Sequence, residues 1–367
     1  MPTVKINLRQ EIDDSYYIVI GNKITDSLVK ELKEKPFGNK YAIITDDNLR
    51  KIYGDRLLQR IKKAGIDCCL ISFPSGEQNK NLKTFGFLHE ELLKNNLDRK
   101  SCIIALGGGV VGDVAGFVAA TYMRGINYIQ VPTTLVAQAD SSIGGKTAVD
   151  LSSGKNSCGA FYQPKKVYID VDFLKTLPRK ELINGLVETV KHAVIADEKF
   201  FYFIEKTLDG IFSAKPEVMI HLAETNCSIK RNVVENDLFE KNLRKVVNYG
   251  HTIGHAIETL TGYKKYAHGE AVAIGMAVEG KISNLKGWLS DKDLKRQNNL
   301  LEKIGLNLNL PAISPEKILK ELVKDKKAVS GKIFFALPEK IGKMKSLDGK
   351  FGIEVEERVI LRGLTEG

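Results

Sequence analysis

The stretch "SCIIALGGGVVGDVAGFVAA", Ser101 to Ala120, passes from an apolar β-type run through three glycines into a helical pattern. A strand that feeds a helix through a glycine turn is half of a βαβ unit. Gly107, Gly109 and Gly112 satisfy G-x-G-x-x-G. Backbone amides at a helix start favour a diphosphate, and glycines let it approach closely. Two features depart from the ordinary dinucleotide fingerprint. The turn lies far from the first strand–helix pair, and no acid ends the next strand, "NYIQVPTT", Asn127 to Thr134. Asp46, ending an earlier strand, can take the ribose role instead. "PSGEQNK", Pro74 to Lys80, presents Glu77 and Lys80 at another strand end, the ligand side of an open α/β sheet. A purely structural glycine turn is the alternative.

The same texture extends to both sides. "YYIVIG" (Tyr16 to Gly21), "YAIITDD" (Tyr41 to Asp47), "CCLISFP" (Cys68 to Pro74) and "KKVYID" (Lys165 to Asp170) are further strand candidates, and helical stretches such as "DNLRKIYGDRLLQRIKKAG" separate them. Continuous apolar strands alternating with helices indicate a parallel sheet covered on both faces. After "TLPRKE" nearly everything to Lys327 has helical period, until "GKIFFALP" (Gly331 to Pro338) interrupts it. The expected architecture is therefore α/β plus all-α: a Rossmann-like parallel-sheet domain over 1–178, then a mostly helical domain over 179–367, with a ligand cleft between them. The start, "MPTVKINLRQ", alternates Val4, Ile6 and Leu8 like one more strand.

A chain of 367 residues, 43% apolar and 27% charged, has the composition of a soluble globular protein of two domains. It has no apolar run of about 18 residues and no signal-peptide core, so a cytoplasmic protein is expected, without a membrane partner. The five cysteines are odd in number and form no CxxC pair, which argues against disulfides and thiolate zinc. The net charge of +10 is spread along the chain with no nucleic-acid signature. A solvated surface explains most of it, and a phosphate-bearing substrate suits the rest.

"DSSIGGKTAVDLSSGKN", Asp140 to Asn156, reads as a polar loop whose glycine-flanked Lys146 and Lys155 suit a phosphate. It is not a P-loop, because the earlier glycine is missing. In "VVNYGHTIGHAIETL", His251 and His255 lie one helical turn apart, and His268 follows. "HTIGH" lacks the glutamate of H-E-x-x-H, which excludes that protease class. A catalytic zinc site takes three ligands from His, Asp or Glu and keeps one position open. The candidates are Glu188, His251, His255 and His268, with His251 and His255 the obvious local pair. Glu188 and Lys191 share a helical face, as a surface ion pair or as part of a site.

"GGGVVGDVAGFVAATYMRGI", "QVPTTLVAQADSSIGGKTAV", "GKNSCGAFYQP", "LVETVKH", "VVNYGHTIGHAIE" and "HGEAVAIGM" together resemble the 3-dehydroquinate synthase family, in that family's order and over most of the chain. The resemblance implies an NAD-binding domain, a helical metal-binding domain with Zn2+ or Co2+, and a homodimer. It implies the shikimate-pathway lyase that converts 3-deoxy-D-arabino-heptulosonate 7-phosphate to 3-dehydroquinate and phosphate. The chemistry is transient NAD-dependent oxidation, phosphate elimination, re-reduction and aldol closure.

Residue by residue, the resemblance implies Glu188, His251 and His268 as metal ligands, with His255 in the active site but off the metal. NAD contacts fall on Asp46, Ser75, Gly76, Glu77 and Lys80, on Gly108, Gly109, Val110, Gly112 and Asp113, and on Thr133, Thr134, Phe173, Thr176 and Leu177. Lys146, Lys155 and Asn156 match groups at the substrate phosphate and the nearby cofactor. Asp140, Lys191, Lys230, Arg244, Asn248 and His255 match catalytic residues around the substrate's hydroxyls and carboxylate. Arg124 matches an arginine that reaches the partner subunit's site, and Lys326 or Lys327 would close over the phosphate.

Asp150 stands where an asparagine is common, and Ser157–Cys158 replaces a more apolar pair. Sister cyclases making 2-deoxy-scyllo-inosose or a valiolone use substrates without the carboxylate that Arg244 and Lys230 suit. A metal-dependent polyol dehydrogenase would need no phosphate-leaving machinery. A basic nucleotide-binding regulatory module would leave Glu188, Lys191 and the histidines without purpose.

Overall fold

Strands β1 (Tyr17–Gly21), β2 (Tyr41–Asp46), β3 (Cys68–Phe73), β4 (Cys102–Gly107), β5 (Asn127–Pro132), β6 (Lys146–Leu151), β7 (Gly154–Phe161) and β8 (Lys166–Asp170) form in chain order. The computed structural model describes residues 1–8, 13–152, 154–324 and 332–366. Six of the strands pair in one sheet, β1-β8-β5-β4-β2-β3, and every pairing in it is parallel. Their continuous apolar runs follow from burial on both faces. Ala42, Ile44, Ile103 and Ala105 enter one core, while their neighbours Ile43, Cys102 and Ile104 enter the other.

The segment read as a polar loop is instead an antiparallel hairpin, with Thr147 opposite Ala160 and Val149 opposite Cys158. Its lysines and glycines hide a buried run, Thr147 to Val149, that packs against the helix Gly109–Thr121. Met1 to Leu8 form no strand, and Val4, Ile6 and Leu8 stand 88%, 77% and 85% exposed. Alternation alone makes no strand without an edge to pair with, and among the described residues none pairs with this segment.

Beyond Pro178 come the helices Arg179–Ala196, Glu198–Phe212, Pro216–Asn236, His251–Leu260 and His268–Leu285, followed by Asp291–Lys303, Pro315–Lys324 and Glu357–Thr365. The β-type run near the end supplies Phe334–Phe335, which pairs with Ile353–Glu354. Among the described residues no helix is long and apolar enough to cross a membrane. The apolar core does not stop at Pro178. Val167 and Ile169 of β8 share one cluster with Leu186, Val190 and Val194 of the helix Arg179–Ala196.

The helices His251–Leu260 and His268–Leu285 approach so closely that a side chain at Gly275 would place its Cβ 1.9 Å from the Gly250 carbonyl oxygen. Gly254 lies against the Ala271 backbone in the same way, 3.1 Å from its carbonyl oxygen. Gly250 begins the first of these helices at φ 80°, a left-handed conformation that glycine adopts without strain. Gly275→Ala is expected to cost about 1–3 kcal/mol through forced separation of the two helices. Urea unfolding measures it, and an unchanged midpoint would mean that the helices have slack at this contact.

Candidate active site

Ligand-capable atoms of Glu188, His251 and His268 all lie within 4.8 Å of one another. Three helices deliver them: Arg179–Ala196, His251–Leu260 and His268–Leu285. Both imidazole Nε2 atoms sit 3.6 Å from Glu188 Oε1, a buried oxygen with no hydrogen-bond partner. The other ring nitrogens are held. His251 Nδ1 donates to the Tyr249 carbonyl at 3.2 Å, and His268 Nδ1 faces Glu258 Oε1 at 3.4 Å. An acceptor on each Nδ1 leaves Nε2 as the coordinating atom, the arrangement that orients metal-binding histidines. Burial and the Lys191 ammonium hold His251 well below the usual imidazole range. Burial works the same way on His268, but the carboxylates of Glu188 and Glu258 beside it overcome it and push His268 up to about 10. The local pair expected from spacing, His251 with His255, shares no such group among the described residues; His255 instead comes together with Glu258 and His268.

Lys191 bonds Glu188, and both are almost fully buried, so this pair belongs to the interior rather than to the surface. A second buried group adjoins in sequence. Asp140, on the wide turn Ala137–Ser141, is bonded by Lys230 and faced by His192 Nε2 at 3.4 Å. Burial opposes ionisation of Asp140, yet Lys230, His192 and Lys191 hold its carboxyl well below the usual carboxylate range. Burial lowers Lys230, with Lys191 and Arg244 adding to that against Asp140. Lys146 pairs with Glu240, which also accepts from Asn248 Nδ2 at 2.6 Å. Arg244 is buried and donates to the carbonyls of Leu238 at 2.6 Å and Gly144 at 3.2 Å, leaving its Nε unpartnered.

On the sheet side, Gly108 starts the helix Gly109–Thr121 without a side-chain cap, so the amides of Gly109, Val110 and Gly112 head an uncapped helix. Gly112 N does reach the Gly108 carbonyl at 3.0 Å. Thr133 Oγ1 is buried without a partner beside this turn, while Thr134 Oγ1 accepts from Ala137 N at 3.2 Å. Lys80 Nζ lies 2.5 Å from both Asp113 Oδ2 and Asn156 Oδ1, and Lys155 lies 3.5 Å from Glu77. Burial pushes the Asp113 carboxyl up, against the pull of Lys80. Asp46 caps the turn after β2, accepting from Asn48 N and Leu49 N at 2.9 and 3.0 Å. Ser75 Oγ accepts from Asn48 Nδ2 at 2.8 Å, and Gly76 takes φ 108° beside it. Phe173 lines a cavity of about 370 Å3 beside Leu106 and Val131, while Thr176 bonds Tyr53 and Leu177 follows in the same turn. Asp150 accepts from Asn156 N at 2.7 Å, a bond within the hairpin that an asparagine oxygen would also accept. Arg124 is exposed on a left-handed turn, at φ 71°. Lys326 and Lys327 lie outside the described residues.

Several buried polar residues at this site were given no role by the sequence reading. Glu279 accepts from Gly250 N at 2.7 Å and Ile253 N at 3.0 Å, capping the helix of His251 from the helix of His268. Glu258 orients His268 and was foreseeable, three residues after His255 on the same helical face. His192, which closes the stretch "LVETVKH", and Asn226 face the Asp140 group, and only the fold shows what they contact.

The 3-dehydroquinate synthase N-terminal family model matches residues 70–184, and the 3-dehydroquinate synthase C-terminal model matches residues 185–328. A 3-dehydroquinate synthase of Desulforamulus reducens is 45% identical over 94% of this chain and 95% of its own. The 2-epi-5-epi-valiolone synthase of Streptomyces hygroscopicus subsp. jinggangensis, solved with NAD+ and Zn2+, is 25% identical. It covers 99% of each chain at a TM-score of 0.88. A 2-deoxy-scyllo-inosose synthase, solved with carbaglucose-6-phosphate, NAD+ and Co2+, is 30% identical over 95% of this chain and 96% of its own, at a TM-score of 0.85.

Glu279→Ala is expected to destabilise the fold by about 2–4 kcal/mol, because two buried amides lose their acceptor. Glu279→Gln, which keeps an oxygen, should lose less. Equal urea midpoints for parent and Glu279→Ala would remove the cap from this account.

Proposed function

The chain belongs to the 3-dehydroquinate synthase family, and we propose on that basis that it converts 3-deoxy-D-arabino-heptulosonate 7-phosphate to 3-dehydroquinate and phosphate as an NAD- and divalent-metal-dependent lyase. One observation carries the metal half of this reading. Glu188 Oε1 is buried and unpartnered between two imidazole Nε2 atoms at 3.6 Å each, a donor set that suits Zn2+ or Co2+. The unpartnered Thr133 Oγ1 beside an uncapped glycine turn suits the dinucleotide.

We assign residues 1–178 to cofactor binding and 179–367 to metal and substrate binding, in a cytoplasmic homodimer in which Arg124 reaches the partner's site. When bound, NAD+ takes up and returns a hydride while the cation polarises the reacting oxygen. The chain's own residues supply the rest. Lys146, Lys155 and Asn156 hold the phosphate, and Lys146 exchanges Glu240 for it. Asp140, Lys191, Lys230 and Asn248 orient the substrate's hydroxyls and stabilise the charge that develops on its oxygens. His255 stands beside the metal ligands and presents a polar ring to the substrate, its centroid 5.3 Å from that of His251. Arg244 Nε is the donor left over for a carboxylate, which favours this substrate over those of the sister cyclases. Burial of Lys191, Lys230 and Arg244 keeps water away from the transient ketone.

Phosphate release from the heptulosonate phosphate should require both NAD+ and metal, stop on adding a chelator, and leave no net NADH. Steady NADH accumulation would point to a polyol dehydrogenase, and NAD+ binding without turnover to a regulatory module. Glu258→Ala, which frees His268 Nδ1, should lower zinc affinity roughly 10–100-fold in chelator competition. Unchanged affinity would mean that His268 does not depend on this orientation.

A further inference from the structure

His192 lies on the helix Arg179–Ala196, four residues after Glu188 and fully buried, and the reaction outlined above does not use it. Its surroundings are wholly polar at the ring edge. Nδ1 lies 2.9 Å from Asn226 Oδ1, and Asn226 Nδ2 donates to Thr189 Oγ1 at 3.1 Å. Thr189 reaches the Gly185 carbonyl at 3.4 Å. Nε2 has no hydrogen-bond partner and faces Asp140 Oδ1 at 3.4 Å, across from the Lys230 ammonium.

The chemistry of the two ring edges is unequal. With its oxygen at Nδ1 the Asn226 amide accepts a hydrogen from that edge; turned over, it donates to Nδ1 while the Thr189 hydroxyl donates to its oxygen, so the edge accommodates both tautomers. An ionised carboxylate only accepts, so the edge facing Asp140 is attractive only if Nε2 carries its hydrogen. Asp140 needs such support. It sits on the wide turn Ala137–Ser141, outside the two helices that carry His192 and Lys230. Those helices fix it, one through Lys230 and the other through His192.

We propose that His192 is a positioning residue for the reaction centre: held by Asn226, it directs an Nε2–H at Asp140 and so sets the carboxylate for Lys230. The inference rests on the assignment of Asp140 and Lys230 to the reaction. Its physical half is independent of that assignment. The charged groups beyond the ring are Asp140, Lys230 and Lys191, and rotation of Asp140 away from His192 would move the whole set relative to the substrate.

The test pairs two substitutions with one spectrum. The glutamine of His192→Gln places an amide nitrogen near the position of Nε2, whereas the asparagine of His192→Asn reaches only the position of Nδ1. On the heptulosonate phosphate, His192→Gln should keep turnover within about threefold, and His192→Asn should lose up to about 100-fold in kcat, the scale of a misplaced reacting geometry. KM, NAD+ affinity and zinc affinity should stay near parental values in both. Equal kcat in the two variants, or losses confined to KM or to the unfolding midpoint, would overturn the proposal.

Nitrogen-15 spectra of the histidine-labelled parent, assigned by the missing signal in His192→Gln, should show Nε2 protonated. A bare Nε2 would overturn the proposal outright. A protonated Nε2 in a protein that does not turn over this substrate would leave the positioning intact and remove the functional assignment.

Discussion

The contact between Gly275 and Gly250 is the constraint on which the rest of the site depends. Two helices here bring imidazoles from separate segments to one carboxylate oxygen, and their backbones nearly touch. The 1.9 Å between an imagined Gly275 Cβ and the Gly250 oxygen is the measure of that approach. Close packing alone would leave the amide ends of the first helix unsatisfied. Glu279 reaches across from the second helix to accept from two of them, so one buried carboxylate ties the helices where their backbones meet. His251 begins the first helix and His268 begins the second. The Gly275 contact fixes the start of the first helix, and the approach of Gly254 to Ala271 lies within the first turn of the second.

Around that contact the interior is populated by charge arranged in pairs: Lys191 with Glu188, Lys230 with Asp140, Lys80 with Asp113. Removing such groups from water costs several kcal/mol each, and pairing recovers only part of it. Stability is therefore a poor explanation for them. Preorganisation is a better one, since groups that must meet the developing charge of a reaction act best when already desolvated and aimed.

Much of the architecture was legible in the chain. Ile43, Ile44, Ile103 and Ile104 announce strands buried on both faces, because period-two geometry sends alternate residues into two separate cores. The glycine turn at Gly107 to Gly109 was equally plain. The hairpin at Lys146 to Phe161 was not, because functional lysines and glycines occupy positions where a strand would show apolar alternation. Val4, Ile6 and Leu8 misled in the opposite direction, for a pattern carries no information about whether an edge exists to receive it. At the site, His251 and His255 drew attention by spacing. Glu279 and His192 act through tertiary contacts that only the folded chain makes, Glu279 with the amides of the other helix and His192 with Asp140.

Glu240 stands at φ 58° and engages both Lys146 and Asn248. A carboxylate tethered there behaves as a resident competitor for the anion pocket, at an effective concentration on the order of millimolar for a short tether. On the proposed reading, in which Lys146 holds the substrate phosphate, an arriving phosphate must displace Glu240 from that lysine. Such a device trades tightness of ground-state capture for speed of product exit. An enzyme whose leaving group is the very anion it first had to grip gains from that exchange.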